Sequence, residues 1–347
     1  MEPKQKRRRP WITILVIAVV VIVFLVLFDV RAVIDEIVNA DWVYLGAATA
    51  VLLIGYLILA VRWRYLLGDR PGTRYTFNTM NVSNMANLMT FIPVTAIRIV
   101  LMGEHAKVTI SQATSSVSLA VVVDLVVKIL SLLLAILLGV ASRSSTTILI
   151  IGILLIVGMV VGIILVLVNA EKIAAKIIPI LARIPRISED QAQGMVSSFL
   201  EGLEGGRSPR RLMVTFLLSI LIWICMLAFY YLGLLAFGLS FPVNRMLVAV
   251  MAAYFFVNPA SPYLPGVFQA LLVVPLYFVL RTDVDTLIGF SIVLHVILLV
   301  IWFGLGSSGL RRLNLSFSTL RQQISDSVHA MRSEYESTSI AEDQITP

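Results

Sequence analysis

Charged residues and cysteine are scarce in this chain. Only 14% of its 347 residues are Asp, Glu, Lys or Arg, whereas 59% are hydrophobic. A soluble domain of this length is nearer half apolar and a quarter charged, so the composition excludes an ordinary soluble protein. The single cysteine, Cys225, excludes a disulfide framework and a cysteine metal site. The three histidines, His105, His295 and His329, are too scattered for a metal site, and we expect no metal and no cofactor.

Motifs of the common catalytic chemistries are also missing. The sequence has neither a phosphate-binding P-loop nor a GxSxG nucleophile elbow. A net charge of +7 would be compatible with nucleic-acid binding, but the basic residues lie mostly beside apolar runs. That distribution is typical of membrane topology rather than of a nucleic-acid footprint. We therefore expect neither an enzyme nor a nucleic-acid-binding protein.

Long apolar runs are abundant, and several exceed the roughly 20 residues that a helix needs to cross a bilayer. They predict an all-α, polytopic membrane protein with about six full spans, near 11–30, 42–61, 114–140, 147–169, 212–238 and 286–306. Two further segments, 78–103 and 246–280, are apolar but interrupted. We interpret the first run as an uncleaved span, because it is too long for a typical signal peptide and no small-residue cleavage site follows it.

Lysine and arginine are concentrated in alternate loops. The chain start, the loop after the second span, the segment 170–211 and the beginning of the tail are rich in them, whereas each intervening loop has one arginine. The positive-inside rule places the rich segments in the cytoplasm, with both termini on that side of the cytoplasmic membrane. This requires both interrupted segments to be re-entrant. The alternative is that "NPASPYLPGVFQ", residues 258–269, is an ordinary extracellular loop between two spans.

These assignments divide the chain into a membrane domain, 1–310, and a cytoplasmic tail, 311–347. The segment 170–211 is amphipathic, and we expect it to lie along the cytoplasmic surface. Within the membrane domain the halves 11–140 and 147–306 each consist of two spans, an interrupted hairpin and a further span. Because the first half begins inside and the second outside, the sequence predicts an inverted repeat, a common architecture of transporters.

Equal spacing of polar residues in the two halves supports this repeat. Asp124 follows Asn87 by 37 residues, and His295 follows Asn258 by the same number. Both intervals begin at a hairpin tip and end at an ionisable residue in the middle of the next span. In inverted-repeat transporters the broken helices meet at a site near the midplane. The interval therefore marks these residues as candidates for such a site.

Proline marks both predicted tips. Each proline removes a backbone donor and obstructs a helix. Unwound backbone at membrane depth is tolerated only where it is buried in protein or lines a wet cavity. We therefore expect the tips to offer backbone groups to a ligand; their marker residues are Pro93, Pro259, Pro262, Pro265 and Gly266.

Asp124 and Lys128 lie inside one apolar run. Each costs about 2.5–3.5 kcal/mol at a helix centre. Their i, i+4 spacing, with the acid first, favours an ion pair within the helix. Two interpretations stay open. The two residues form a polar centre that meets a lipid headgroup or couples to protons, or they neutralise each other and fix two helices together.

Further polar residues would complete a substrate-binding cavity. His295 would shuttle protons or be a buried neutral histidine. Arg98 would hold a phosphate with its forked donors or extend to the cytoplasmic surface. The remaining candidates are neutral donors, which would serve the same cavity or brace the hairpins: Asn87, Asn258 and Gln269.

The second hairpin resembles the glycine-rich signature of the lysylphosphatidylglycerol synthase membrane region, the flippase-like family. Pro262, Gly266 and Gln269 stand at its proline, last glycine and glutamate positions. The stretch "ANLMTFIPVTAIRIVLMGEH" is similar to the family's asparagine–proline–arginine stretch. The run into Asp124 resembles a family span in which an acid–arginine pair precedes an aspartate; here Ala120 and Val121 occupy the pair's positions.

The resemblance implies a polytopic fold with re-entrant helices and a role in moving aminoacylated or glycosylated lipids across the membrane. Synthases of the family have a large soluble aminoacyl-transfer domain, which this chain lacks, so we expect it not to make lysyl-lipid. The leading hypothesis is a translocase for a lipid or lipid-linked headgroup, with membrane lipids as partners. The alternative is a non-transporting scaffold or accessory subunit of a lipid- or glycan-modifying enzyme. A third hypothesis is a membrane-embedded enzyme that uses Asp124 and His295 as acid and base.

Overall fold

The computed structural model describes residues 30–68, 71–90, 93–105, 108–141, 158, 209–257, 266–316, 318–320 and 322. Regular structure in these ranges consists of helices, with no strand. In chain order the helices are α1 (Val30–Val38), α2 (Trp42–Leu66), α3 (Thr73–Thr90), α4 (Val94–His105), α5 (Ile110–Ala141), α6 (Pro209–Ala236), α7 (Val243–Val257), α8 (Val267–Leu280) and α9 (Val284–Arg312). The fold is all-α, as the sequence predicts.

Four of these helices are long and apolar enough to cross a membrane: α2, α5, α6 and α9. They confirm the spans predicted at 42–61, 114–140, 212–238 and 286–306. The other two predicted spans, 11–30 and 147–169, lie outside the described residues except for one position in each. The chain is a polytopic membrane protein.

Carboxylate caps set the first residues of two spans. The Asp41 side chain accepts the backbone N–H of Val43 at 2.8 Å as α2 begins. The Asp283 side chain accepts the N–H of Thr286 at 3.1 Å as α9 begins. Each cap satisfies a donor that the first turn of a helix leaves without an intrahelical partner. Short polar residues between apolar runs therefore determine where these spans start.

Both interrupted segments form pairs of packed helices, α3–α4 and α7–α8. Pro93 precedes α4, and its carbonyl accepts the N–H of Ile97 at 3.2 Å. Gly266 precedes α8 with φ of 89°, a conformation that glycine adopts without strain. The predicted interruptions are thus confirmed. The centre of the second break, including Asn258, Pro259, Pro262 and Pro265, lies outside the described residues.

The helices α2–α5 and α6–α9 form two similar series. Their lengths in order are 25, 18, 12 and 32 residues in the first series and 28, 15, 14 and 29 in the second. The first members run antiparallel. Asp41 N–H donates to the Ala236 carbonyl at 2.7 Å at one end, and Arg62 bonds Ser219 near the other. Opposite directions of the two first members are what the predicted inverted repeat requires, and the repeat itself stays a prediction.

Helix α3 lies inside the protein although its sequence is polar. Four asparagines recur at every third position and are all at most 8% exposed: Asn78, Asn81, Asn84 and Asn87. Thr76, Thr79 and Ser83 on the same helix are fully buried as well. The helix packs against α2, α4 and α9. A polar helix of this kind persists in a membrane protein because neighbouring helices, rather than lipid, surround it.

Two glycines allow α9 to approach α3 closely. A Cβ atom at Gly306 would lie 2.5 Å from the Met85 Cβ and 3.0 Å from the Asn81 carbonyl oxygen. A Cβ atom at Gly309 would lie 3.0 Å from the Asn78 carbonyl oxygen. Small residues at such spacing let helix backbones touch in membrane proteins. The C-terminal part of α9 therefore fixes the position of the first hairpin.

The beginning of the tail packs on the same hairpin. Leu320 is 1% exposed and lies in a cluster with Ala86, Ile97 and Leu101. Most of the predicted tail, 311–347, is outside the described residues, as is nearly all of the segment 170–211.

Candidate functional site

Arg62, Asp124 and Ser219 join three helices of the bundle. Both terminal nitrogens of Arg62 on α2 contact the Asp124 carboxylate on α5, with Nη2 2.9 Å from Oδ2. Nη1 also donates to the Ser219 hydroxyl on α6 at 2.5 Å. The Arg62 side chain is only 3% exposed, whereas that of Asp124 is 39% exposed. A forked, two-bond pair is the strongest arginine–carboxylate geometry, so it fixes the three helices relative to one another.

The predicted pairing of Asp124 with Lys128 is therefore wrong. The i, i+4 rule considers one helix alone, and it misses a partner that a second helix brings to the carboxylate. Arg62 offers two donors at fixed spacing, which match both carboxylate oxygens better than one ammonium group does. The spans predicted from the sequence also place Arg62 in the cytoplasmic loop after the second span, 42–61. The structure places it four residues before the end of α2.

Lys128 lies within electrostatic range of Asp124 but forms no direct ion pair with it. Its Nζ lies 6.0 Å from the centroid of the Tyr254 ring on α7. It forms no ion pair with any residue that the structure describes. A cation over an aromatic face gains only about 0.5–2 kcal/mol. This is less than the cost of placing a lysine in the middle of a span. The interior thus holds a cation with weak compensation beside the second hairpin.

Arg98 is directed into the bundle from the first hairpin. Its Nη2 donates to the Asn84 side-chain oxygen on α3 at 3.1 Å. It also lies within electrostatic range of the Tyr56 hydroxyl, which accepts a hydrogen bond from Trp302 Nε1 at 2.6 Å. These contacts favour the interior position over the surface position for Arg98. Asn87, three residues after Asn84, is 1% exposed.

Gln269 and His295 meet at the second hairpin. The Gln269 amide nitrogen is 3.0 Å from His295 Nδ1, and its oxygen accepts the Gly266 N–H at 2.6 Å. The Phe268 ring stacks on the imidazole with centroids 4.8 Å apart. His295 is 5% exposed. One glutamine thus connects the N-terminus of α8 to the middle of α9.

Tyrosines connect the polar groups of the two hairpins. Tyr230 on α6 lies within electrostatic range of both Tyr56 and Tyr254. Tyr254 underlies Lys128, and Tyr56 lies near Arg98. Sequence reasoning missed these tyrosines, as well as Arg62 and Ser219. Its signal was charge in apolar runs, which does not mark a phenol or a hydroxyl.

The candidate site is thus a series of polar contacts among the four spans α2, α5, α6 and α9 and the two hairpins. The structure places Lys128 beside α7, Arg98 on Asn84, and Gln269 on His295. Amide, guanidinium and ammonium donors predominate, so the arrangement suits an anionic or hydrogen-bonding group. In the part of the chain that the structure describes, no three His, Cys, Asp or Glu side chains are grouped as for a metal ion.

Comparison with known proteins gives one match. A sequence model of a family described as the lysylphosphatidylglycerol synthase TM region matches residues 11–306. No curated protein sequence and no solved structure matches the chain.

Proposed function

The chain belongs to the family of the lysylphosphatidylglycerol synthase transmembrane region, and on that premise we propose that it moves a lipid or lipid-linked headgroup between membrane leaflets. The protein acts in this proposal as a transporter of the cytoplasmic membrane rather than as an enzyme, with both termini in the cytoplasm. Its substrates are membrane lipids, whose tails stay in the bilayer while the headgroup passes through the polar interior.

The proposal rests on the position of Lys128, in the middle of a span and without a direct ion pair among the described residues. A lysine at the middle of a span costs about 2.5–3.5 kcal/mol, and charged residues at such positions typically mark a substrate or ion pathway. The nearby acid, Asp124, is bound by Arg62 instead. A headgroup phosphate beside Lys128 would supply the direct ionic partner that Asp124, already bound to Arg62, does not. An anionic headgroup would therefore bind more tightly than a zwitterionic one.

The two hairpins would supply the rest of the passage. We propose that both are re-entrant, the first from the cytoplasm and the second from outside, with their tips facing the interior. Arg98 and Asn87 would approach a headgroup from the first hairpin, and Gln269 would approach it from the second. Asn258 would act at the second tip with the prolines around it.

The experiment is lipid translocation in sealed proteoliposomes. Anionic, aminoacylated, glycosylated and zwitterionic lipids are compared for wild-type protein, Lys128→Met and Lys128→Arg. Loss of one charged contact of about 1.4 kcal/mol lowers the rate about tenfold. We therefore expect Lys128→Met to slow an anionic lipid by about tenfold or more, and Lys128→Arg to retain most of the rate. Arg281→Gln, which removes an exposed charge beyond the end of α8, is the matched control and should transport normally.

Two outcomes of this experiment would contradict the proposal. If folded wild-type protein moves none of these lipids, the translocase is refuted and a scaffold or accessory role beside a lipid- or glycan-modifying enzyme takes its place. If transport occurs but Lys128→Met matches wild type, Lys128 is not a headgroup contact.

A further inference from the structure

A second polar region lies at the end of the bundle where α3 begins and α9 ends. It forms an open cavity of about 640 Å³, within the usual range for small-molecule sites. Three arginines line it: Arg74 on the first turn of α3, and Arg311 and Arg312 on the last turn of α9. None of its eight described lining residues is acidic. We infer that this cavity binds a phosphate-bearing anionic headgroup.

The arginines are available to a ligand. All three are exposed, and none forms an ion pair or hydrogen bond with any side chain in the described ranges. A guanidinium group presents planar, forked donors that match phosphate oxygens. Three such groups around one cavity concentrate positive charge where no described carboxylate offsets it. Phosphate fits this arrangement better than a neutral or cationic ligand does.

Asn78 provides a polar group on the cavity wall. It is only 5% exposed, yet it lines the cavity and its side chain makes no hydrogen bond to another described residue. Buried side-chain amides are normally hydrogen-bonded, so the Asn78 amide is available to bond a ligand that enters the cavity. A phosphate or glycerol oxygen would accept from its amide nitrogen. The adjacent N-terminus of α3, an 18-residue helix, adds the positive end of its dipole.

Packing between helices holds the cavity in shape. Gly309 contacts the backbone of Asn78 closely, which fixes α9 against α3 just inside the cavity. The Arg64 side chain on α2 donates to the Thr73 hydroxyl at 3.0 Å, which fixes the start of α3. Asn314, with φ of 54°, turns the chain after α9 and lines the cavity. The arginines therefore extend from a rigid frame.

The position also favours a lipid-derived phosphate. Arg311 and Arg312 follow a 29-residue span, so the cavity lies where that span leaves the membrane. The charge distribution of the loops predicts that this end faces the cytoplasm. Basic pockets between helices on that side bind anionic headgroups, which the negative leaflet presents at high local concentration. The site is separate from Lys128, and binding there does not require transport.

The test measures lipid binding to the full chain in zwitterionic detergent by native mass spectrometry. Phosphatidylglycerol is compared with phosphatidylcholine for wild type, Arg74→Gln, Arg311→Gln and the control Arg281→Gln. Hydrogen bonds to charged groups contribute enough for a tenfold change in affinity. We expect either cavity substitution to weaken phosphatidylglycerol binding about tenfold, with Arg281→Gln unchanged. Arg74→Lys keeps the charge but loses the forked guanidinium donors. Its affinity for phosphatidylglycerol should therefore lie between those of wild type and Arg74→Gln.

A competition experiment identifies the source of the phosphate. Inorganic phosphate or glycerol phosphate that displaces the lipid at millimolar concentration supports the site and makes a soluble phosphate compound its ligand. Failure of both to compete, with lipid binding still dependent on Arg74 and Arg311, supports the site as specific for lipid. Equal binding of both lipids, or no change in either cavity variant, overturns the inference.

Discussion

Removing the Asp124 carboxylate should destabilise the protein through the arginine it leaves behind. Breaking a buried ion pair by deleting one partner typically costs 3–5 kcal/mol, because the other charge stays buried and uncompensated. Arg62 is 3% exposed, but Asp124 is 39% exposed, so the pair is only half enclosed. We therefore expect the lower end of that range, about 3 kcal/mol, for Asp124→Asn. Arg62→Met should cost less, about 2 kcal/mol, because the carboxylate it leaves is more accessible.

A double-mutant cycle measures the pair directly. Neither charge remains in the double variant. Its free energy of unfolding should therefore fall by about 3 kcal/mol rather than by the sum of the two single losses. The expected coupling is thus about 2 kcal/mol. The assay is equilibrium unfolding of purified protein in mixed micelles by a denaturing detergent, followed by circular dichroism.

A second cycle, Asp124→Asn with Lys128→Met, is the matched control. Pairs at i, i+4 contribute about 0.2–0.5 kcal/mol, so this coupling should be small. A coupling energy of Asp124 with Lys128 that exceeds its coupling energy with Arg62 would refute the contact of Arg62 with Asp124 that joins α2 to α5. It would restore the self-neutralised pair that the sequence suggests.

Two further substitutions test the helix contacts. Gly306→Leu should separate α9 from α3 and lower the free energy of unfolding by about 2 kcal/mol or more, as overpacking does. The control Gly304→Leu, where a Cβ meets nothing within 4 Å, should change it by less than about 0.5 kcal/mol; equal effects in the same unfolding assay would contradict the close crossing. Gln269→Leu removes the hydrogen bond to His295 Nδ1 and should lower the free energy of unfolding by about 1–3 kcal/mol. An imidazole ¹⁵N spectrum unchanged by Gln269→Leu would show that the bond is not formed in solution.

Much of the fold follows from local features of the sequence. Apolar length alone locates α2, α5, α6 and α9, because a span needs about 20 apolar residues wherever it occurs. Proline and glycine locate the two breaks, because they act on the backbone of their own turn. Gln269, a neutral donor, and His295, an ionisable residue in the middle of a span, are both candidates from the sequence, and they are in contact.

The remaining features depend on residues far apart in the chain. Arg62 precedes Asp124 by 62 positions, and no local rule connects them. The burial of Asn78 and Asn81 depends on Gly306 and Gly309 in the last span. The basic cavity likewise combines the first turn of α3 with the last turn of α9. Periodicity and hydropathy describe one helix at a time, so they do not predict these contacts.

The buried asparagines of α3 also affect how the protein is made. This helix is not among those apolar enough to cross a membrane, so lipid does not accept its polar side chains. Its close partner, the Gly306–Gly309 stretch, leaves the ribosome more than 200 residues after Asn81, or about 10–45 s later at 5–20 residues per second. During that interval the insertion machinery has to keep the polar side chains of the first hairpin out of contact with lipid. The two halves therefore complete their folding together, once the last helix arrives.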